Sequence, residues 1–257
     1  NGKVLVLGGS YIYHGAPALS SLAALKTGAD LVYTCVPKIN VQATRAVSPN
    51  LIVIPLVDSK LTRGAVNKLL GQIPDDLDSA TIGMGLSIQD PEALKLLVKS
   101  LLDRDVRISL DATALVNYIL PLLSGKNVVV TPHAGEFKKM FGEAPPESKK
   151  TRITMVEKFA KEHSITILLK GPIDIISDGE KTYLNPTNTP GMTVGGTGDV
   201  LSGIIAGMLA RNRNTLESAV TGAYFNGLAG KMTQKKLGPH MTATDLLDAL
   251  PIVMKSF

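Results

Sequence analysis

Short apolar runs rich in β-branched residues recur along this chain, each followed by an amphipathic stretch, and that alternation restricts the fold more than any other feature. The runs are KVLVLG (3–8), LVYTCV (31–36), LIVIPL (51–56), ATIGMG (80–85), RISLD (107–111), NVVVT (127–131), TILLK (166–170) and DIIS (174–177). Helical spacing marks residues 17–27, 62–72, 91–103, 152–163, 199–211, 215–233 and 244–256. Strands alternating with helices predict βαβ units and an α/β fold with a mainly parallel central sheet. The last third turns helical, apart from a hairpin expected in DIISDGEKTYLN with Asp178-Gly179 as its turn. A hydrophobic content of 44 % with 4 % aromatic residues and no Trp suits a core of Val, Ile, Leu, Ala and Met. Neither an internal repeat nor a flexible linker interrupts the pattern, so residues 1–257 read as one domain.

Charge and cysteine content narrow the class. The 27 basic and 22 acidic residues leave a net charge of +5, scattered except for ESKKTR at 147–152. Such a scatter suits anionic small ligands and offers no argument for nucleic acid. No apolar run reaches membrane-spanning length, and no signal-peptide pattern opens the sequence. The lone Cys35 lies in an apolar run and reads as a small buried hydrophobe, consistent with a reducing cytoplasm. Asn1 leads straight into a strand, so an N-terminal segment, up to a whole domain, is expected ahead of it.

Parallel sheets place their sites beyond the carboxyl ends of their strands. The informative residues fall there: LGGSYIYHGAP after the first strand, then GMGLS (83–87), LDATAL (110–115), TPHAGE (131–136) and LKGPID (169–174). There is no G-x-x-x-x-G-K-[ST] loop, no G-x-G-x-x-G after the first strand, and no His/Cys cluster with zinc spacing. In TPHAGE, His133 can offer a hydrogen bond to a ligand, while Glu136 can simply cap the following helix. Lys170 stands at a strand end where it can meet nucleotide phosphate or lie on the surface.

The stretch GGTGDVLSGIIAGMLA (195–210) reads as a glycine-rich turn feeding a buried helix. Val200, Leu201, Ile204, Ile205, Met208 and Leu209 form one stripe. Gly203 and Gly207 lie on another face, at a cost of roughly 1 kcal/mol each against alanine, so close packing is expected there. A helix start of this kind favours an anion. Asp199 is out of place beside phosphate unless it takes a proton; the plainer alternative is that Thr197 or Asp199 caps the helix.

Taken in order, LGGS…GAP, GMG, LDATAL, TPHAGEF, LKG and NPTNTPGMTVGGTGDVLSGIIAGMLA resemble the ADP- or ATP-dependent NAD(P)H-hydrate dehydratases of the ribokinase-like superfamily, from Lys3 to about Ile252. The resemblance implies a three-layer sandwich with helices on both faces of the sheet. It also implies phosphorylation of the C6 hydroxyl of (S)-NAD(P)H-hydrate by ADP or ATP, elimination of phosphate, and a Mg²⁺ whose ligands the sequence does not identify. Matching positions put Ala16, Gly85, His133 and Asp199 at the hydrate. They put Lys170, Gly171, Pro172, Ile173, Asp174 and Gly198 at the nucleotide. Asp199 would be the base, and the amides of Gly196, Thr197 and Gly198 the anion hole. Asp174 stands where relatives commonly have threonine, and NPTNTPG replaces a more usual Thr-Gly-Asn. In many relatives an epimerase domain precedes this one, and homotetramers are common. The alternatives are a ribokinase-like kinase of a vitamin precursor, hydroxymethylpyrimidine or hydroxyethylthiazole, and a non-catalytic nucleotide sensor.

Overall fold

The computed structural model describes residues 2–255. Its strands are β1 (Lys3–Leu7), β2 (Leu31–Pro37), β3 (Ile52–Leu56), β4 (Ser79–Ile82), β5 (Arg107–Leu110), β6 (Val128–Val130), β7 (Thr166–Leu169), β8 (Asp174–Ser177) and β9 (Thr182–Asn185). The first helices are α1 (Ala16–Lys26), α2 (Val41–Val47), α3 (Arg63–Leu70), α4 (Pro91–Leu102) and α5 (Leu120–Leu123). After them come α6 (Ala134–Phe141), α7 (Lys149–His163), α8 (Thr197–Arg211), α9 (Thr215–Leu237) and α10 (Ala243–Met254). Each of the eight apolar runs holds a strand, and β9 is the second arm of the expected hairpin. The helix expected at 244–256 ends at Met254, and position 256 lies outside the described residues.

All nine strands form one sheet in the order β3-β2-β1-β4-β5-β6-β7-β8-β9. Pairing is parallel from β3 through β7 and antiparallel at β8 and β9. The direction of winding reverses between β1 and β4, which parts the loops that follow them into a crevice.

Side chains of β1 alternate between two layers, as a period of two requires. Leu5 and Leu7 join the core formed with α3, α4 and α7, whereas Val4 and Val6 pack beneath α1 and α8. Helices α1, α8, α9 and α10 cover that second face, completing the expected three-layer sandwich. Cys35 is fully buried in β2, where burial pushes its thiol pKa upward and leaves it unreactive.

Helix α8 is buried on nearly every side, so its glycines serve contact rather than flexibility. A Cβ on Gly203 would run into the Ser20 carbonyl oxygen of α1, and one on Gly207 into the Thr27 hydroxyl. On its sheet side, Ser202 Oγ meets Thr81 Oγ1 at 2.6 Å, and Ser79 Oγ donates to the Ala206 carbonyl at 2.7 Å. The close approach anticipated from the two glycines is therefore backbone against backbone at Gly203 and backbone against the Thr27 side chain at Gly207.

Candidate active site

Two cavities lie along the carboxyl ends of the strands, of about 690 and 630 Å³, both within the size range of small-molecule sites. The start of α8 separates them. Thr197 and Gly198 line the larger cavity, and Asp199 lines the smaller.

That helix start is open. Its N-cap is Gly196, held at φ +97°, a conformation that a side chain would strain. Gly196 supplies no side-chain cap, and the first backbone bond of the helix runs from Val200 N to Gly196 O. The N–H groups of Thr197, Gly198 and Asp199 thus lack helical acceptors. Neither suggested cap operates: Thr197 Oγ1 donates backward to the Met192 and Val194 carbonyls, and Asp199 stands inside the first turn. Position of the Asp199 backbone is fixed from α1, whose Ser20 Oγ donates to its carbonyl at 2.7 Å.

Burial, and then the charge of Asp111, push the Asp199 pKa up to about 7, with Lys170 pulling the other way. A carboxylate poised at that value can accept a proton near neutral pH.

Lys170, at the end of β7, joins three parts of the sheet. Its Nζ donates to Asp111 Oδ1 at 2.8 Å and lies 3.5 Å from Glu136 Oε2. A methyl group on Gly198 would sit 3.7 Å from the same nitrogen. Burial works to discharge the ammonium, but Asp111 and Glu136 outweigh it and raise its pKa. Asp111 is 3 % exposed and also accepts from Thr131 Oγ1 at 2.9 Å. The result is a buried cation beside unpaired helix N–H groups, with the carboxylates of Asp111 and Glu136 against it.

His133 and Glu136 cap α6 reciprocally. His133 Nδ1 accepts from Gly135 N and Glu136 N at 3.0 and 3.3 Å, and Glu136 Oε2 accepts from His133 N at 2.9 Å. With Nδ1 so engaged, a neutral imidazole carries its proton on Nε2. Asp174 is also committed to the protein: its carboxylate accepts from Gly171 N at 3.0 Å and Asn185 Nδ2 at 2.9 Å. Burial raises its pKa against those hydrogen bonds. Asn188 Nδ2 donates to Gly171 O at 2.9 Å, so the turn after Lys170 is tied to the NPTNTPG segment (185–191).

Of the four positions expected at the hydrate, Ala16, Gly85 and Asp199 line the smaller cavity, and His133 lines the larger. Lys170, Gly171, Pro172, Asp174 and Gly198 share the larger cavity, while Ile173 and Gly196 stand outside its lining. Sequence reasoning assigned no role to Asp111, although LDATAL was marked as a strand end. It also missed the exposed Tyr11, Ile12 and Tyr13 at the smaller cavity and Asn226 at the larger one.

A family model described as NAD(P)H-hydrate dehydratase matches residues 4–252. The chain is 69 % identical to an ADP-dependent (S)-NAD(P)H-hydrate dehydratase of Nitrosopumilus maritimus (strain SCM1), over the whole chain and 90 % of that protein. It is 41 % identical to a bifunctional NAD(P)H-hydrate repair enzyme of Pyrobaculum aerophilum, of which it spans 51 %. A Bacillus subtilis ADP/ATP-dependent NAD(P)H-hydrate dehydratase, co-crystallized with ATP/Mg²⁺, superposes with a TM-score of 0.85 at 27 % identity. That match covers 99 % of this chain and 89 % of the other.

Proposed function

The chain belongs to the NAD(P)H-hydrate dehydratase family, and from that membership we propose that it converts (S)-NAD(P)H-hydrate to NAD(P)H at the expense of ADP or ATP. The vitamin-precursor kinase considered above gives way to the family match. The observation that carries a mechanism is the division of the two cavities by consecutive residues, Gly198 on the nucleotide side and Asp199 on the hydrate side.

In this reading the hydrate enters the smaller cavity with its C6 hydroxyl toward Asp199. The hydroxyl oxygen bonds to the terminal phosphorus, the bond to the departing nucleotide breaks, and the hydroxyl proton passes to the Asp199 carboxylate. Amides of Thr197 and Gly198 and the Lys170 ammonium take up the charge of the transferring group. The ring nitrogen's electron pair then expels phosphate from C6, a proton leaves C5, and the reduced nicotinamide is restored. His133, held by its cap and with Nε2 3.5 Å from Glu136 Oε1, can turn its Nε2–H toward a phosphate oxygen in the larger cavity.

Among the described residues no group of three His, Cys, Asp or Glu side chains could hold a metal unaided. Mg²⁺ needs only one or two carboxylates when phosphates supply its other oxygens, and Asp111 and Glu136, which converge on Lys170, suit that part. Bound there with the nucleotide, Mg²⁺ would neutralise phosphate charge.

Residues 1–257 make one dehydratase domain in this proposal; the bifunctional relatives support an epimerase activity supplied by a further domain or a separate protein. No described helix is long and apolar enough to cross a membrane. A cytoplasmic setting, with its adenine nucleotides and free thiols, is where the reaction belongs. We expect a homo-oligomer, a tetramer; light scattering that shows only monomer at micromolar concentration refutes it.

The deciding experiment incubates the protein with NADH-hydrate, Mg²⁺ and either ADP or ATP. Return of the reduced-nicotinamide absorbance supports the proposal, and its absence with both nucleotides overturns it.

A further inference from the structure

Two buried side-chain oxygens that make no hydrogen bond, Thr189 Oγ1 and Asn226 Oδ1, both belong to residues lining the larger cavity. Asn226 is the more telling. It lies on α9, is 4 % exposed, and yet borders a cavity large enough for a nucleotide. Buried polar groups in proteins are nearly always hydrogen-bonded, because leaving one unmade forfeits its hydration without return. An amide kept in such a place has a partner that arrives from outside.

The surroundings define that partner. The same cavity is walled by apolar side chains, including Pro190, Met192 and Leu201. Helix α9 carries the amide past the segment that bears two of them: its Gly230 packs on Met192, and Gly227 on Thr187. Lys170 and the open start of α8 mark where phosphate binds. Of the two amides in the lining, Asn188 is spent on the Gly171 carbonyl and Asn226 keeps an unpartnered oxygen, so what remains is a largely apolar space with one available amide, which suits the faces and one polar edge of a purine. A carboxamide matches adenine with two hydrogen bonds, its oxygen accepting from the amino group and its nitrogen donating to a neighbouring ring nitrogen. Guanine and hypoxanthine carry an oxygen where adenine carries the amino group, and that oxygen would face Asn226 Oδ1 without a proton between them.

We propose that Asn226 is the base-reading residue of the nucleotide site, selecting adenine through its amino group. This rests on the larger cavity being the nucleotide site. It adds a determinant of base identity that neither the glycine-rich turn nor Lys170 can supply, since both address phosphate.

The test compares ADP with IDP, which differ at the exocyclic position that the amide reads. Wild type should favour ADP by about 10- to 100-fold in KM and in equilibrium binding. Asn226→Ala should raise the KM for ADP and bring the two nucleotides within about threefold of each other. Its kcat and its KM for NADH-hydrate should change little. Asn226→Leu, which fills the space, provides a second variant should alanine impair folding. A folded variant that keeps the wild-type ADP preference overturns the assignment, as does a wild type that binds ADP and IDP alike. Wild-type protein that binds neither nucleotide overturns the nucleotide site itself. Binding measured without hydrate therefore separates failure of the base reader from failure of the site.

Discussion

Replacing Asp199 with asparagine keeps the shape of the side chain and removes its negative charge. In the wild type, burial and the neighbouring Asp111 hold that carboxyl at a pKa of about 7 against the pull of Lys170. As the base it is about half ionised at pH 7 and about one-tenth ionised at pH 6. Turnover should therefore fall about fivefold from pH 7 to pH 6, about tenfold for each further unit, and level off above about pH 8. Asp199→Asn should lower turnover by roughly 10²- to 10⁴-fold and abolish that acidic limb.

Stability should move in the opposite sense. The folded carboxyl holds its proton more tightly than the unfolded one, so the wild type loses stability as pH rises from about 4 to 7. The loss is on the order of 2–4 kcal/mol, after allowance for partial solvent access. The asparagine variant escapes it, so its advantage is absent near pH 4 and complete above about pH 7. NADH-hydrate turnover across that range, ADP binding and denaturant unfolding read these effects separately. A folded variant that binds ADP and turns over at the wild-type rate refutes the assignment of the base.

Lys170→Ala should weaken ADP binding at least about tenfold while leaving the hydrate KM nearly unchanged, as follows from losing one charge-assisted phosphate contact. It should also shift the acidic limb to higher pH, because the cation that lowers the Asp199 pKa is gone; equal weakening of both ligands counts against it. Gly203→Ala should destabilise the protein by about 1–3 kcal/mol in denaturant unfolding, since the new methyl meets the Ser20 carbonyl with no room to yield. His133→Ala should cost about 1 kcal/mol through the lost cap of α6, and an unchanged unfolding midpoint would show that the cap carries no weight.

Local pattern made most of the fold legible. Strand-forming runs in a sheet buried on both faces are short, apolar and bounded by turn residues, so all eight could be read directly. Helix α2 was missed because VQATRAV is too short, and too rich in β-branched residues, to show a face. The site was legible wherever one segment holds its parts, as in the turn before α8. Asp111 and Lys170 are 59 residues apart and meet only because β5, β6 and β7 lie side by side with parallel ends. Asn226 carries no local mark: its significance lies in lacking a partner inside a cavity, which is a three-dimensional fact. His133 was read as facing the hydrate; capped at the start of α6, it lines the larger cavity, whereas Ala16, Gly85 and Asp199 line the smaller one.

The tight seam between α1 and α8 has a mechanical consequence. Helix α1 begins at Ala16, on the smaller cavity, and α8 carries Asp199; their backbones touch at Gly203, and Ser20 grips the Asp199 carbonyl. The proposed hydrate seat and the proposed base thus belong to one stiff body, and close-packed backbone does not stretch. The rims are built differently: the exposed Tyr11–Tyr13 stretch borders one cavity and the Pro190–Thr193 turn the other, both outside the α1–α8 seam. Entry and exit can then be retuned by changing those rims alone, with the aim of the base upon the hydroxyl left untouched.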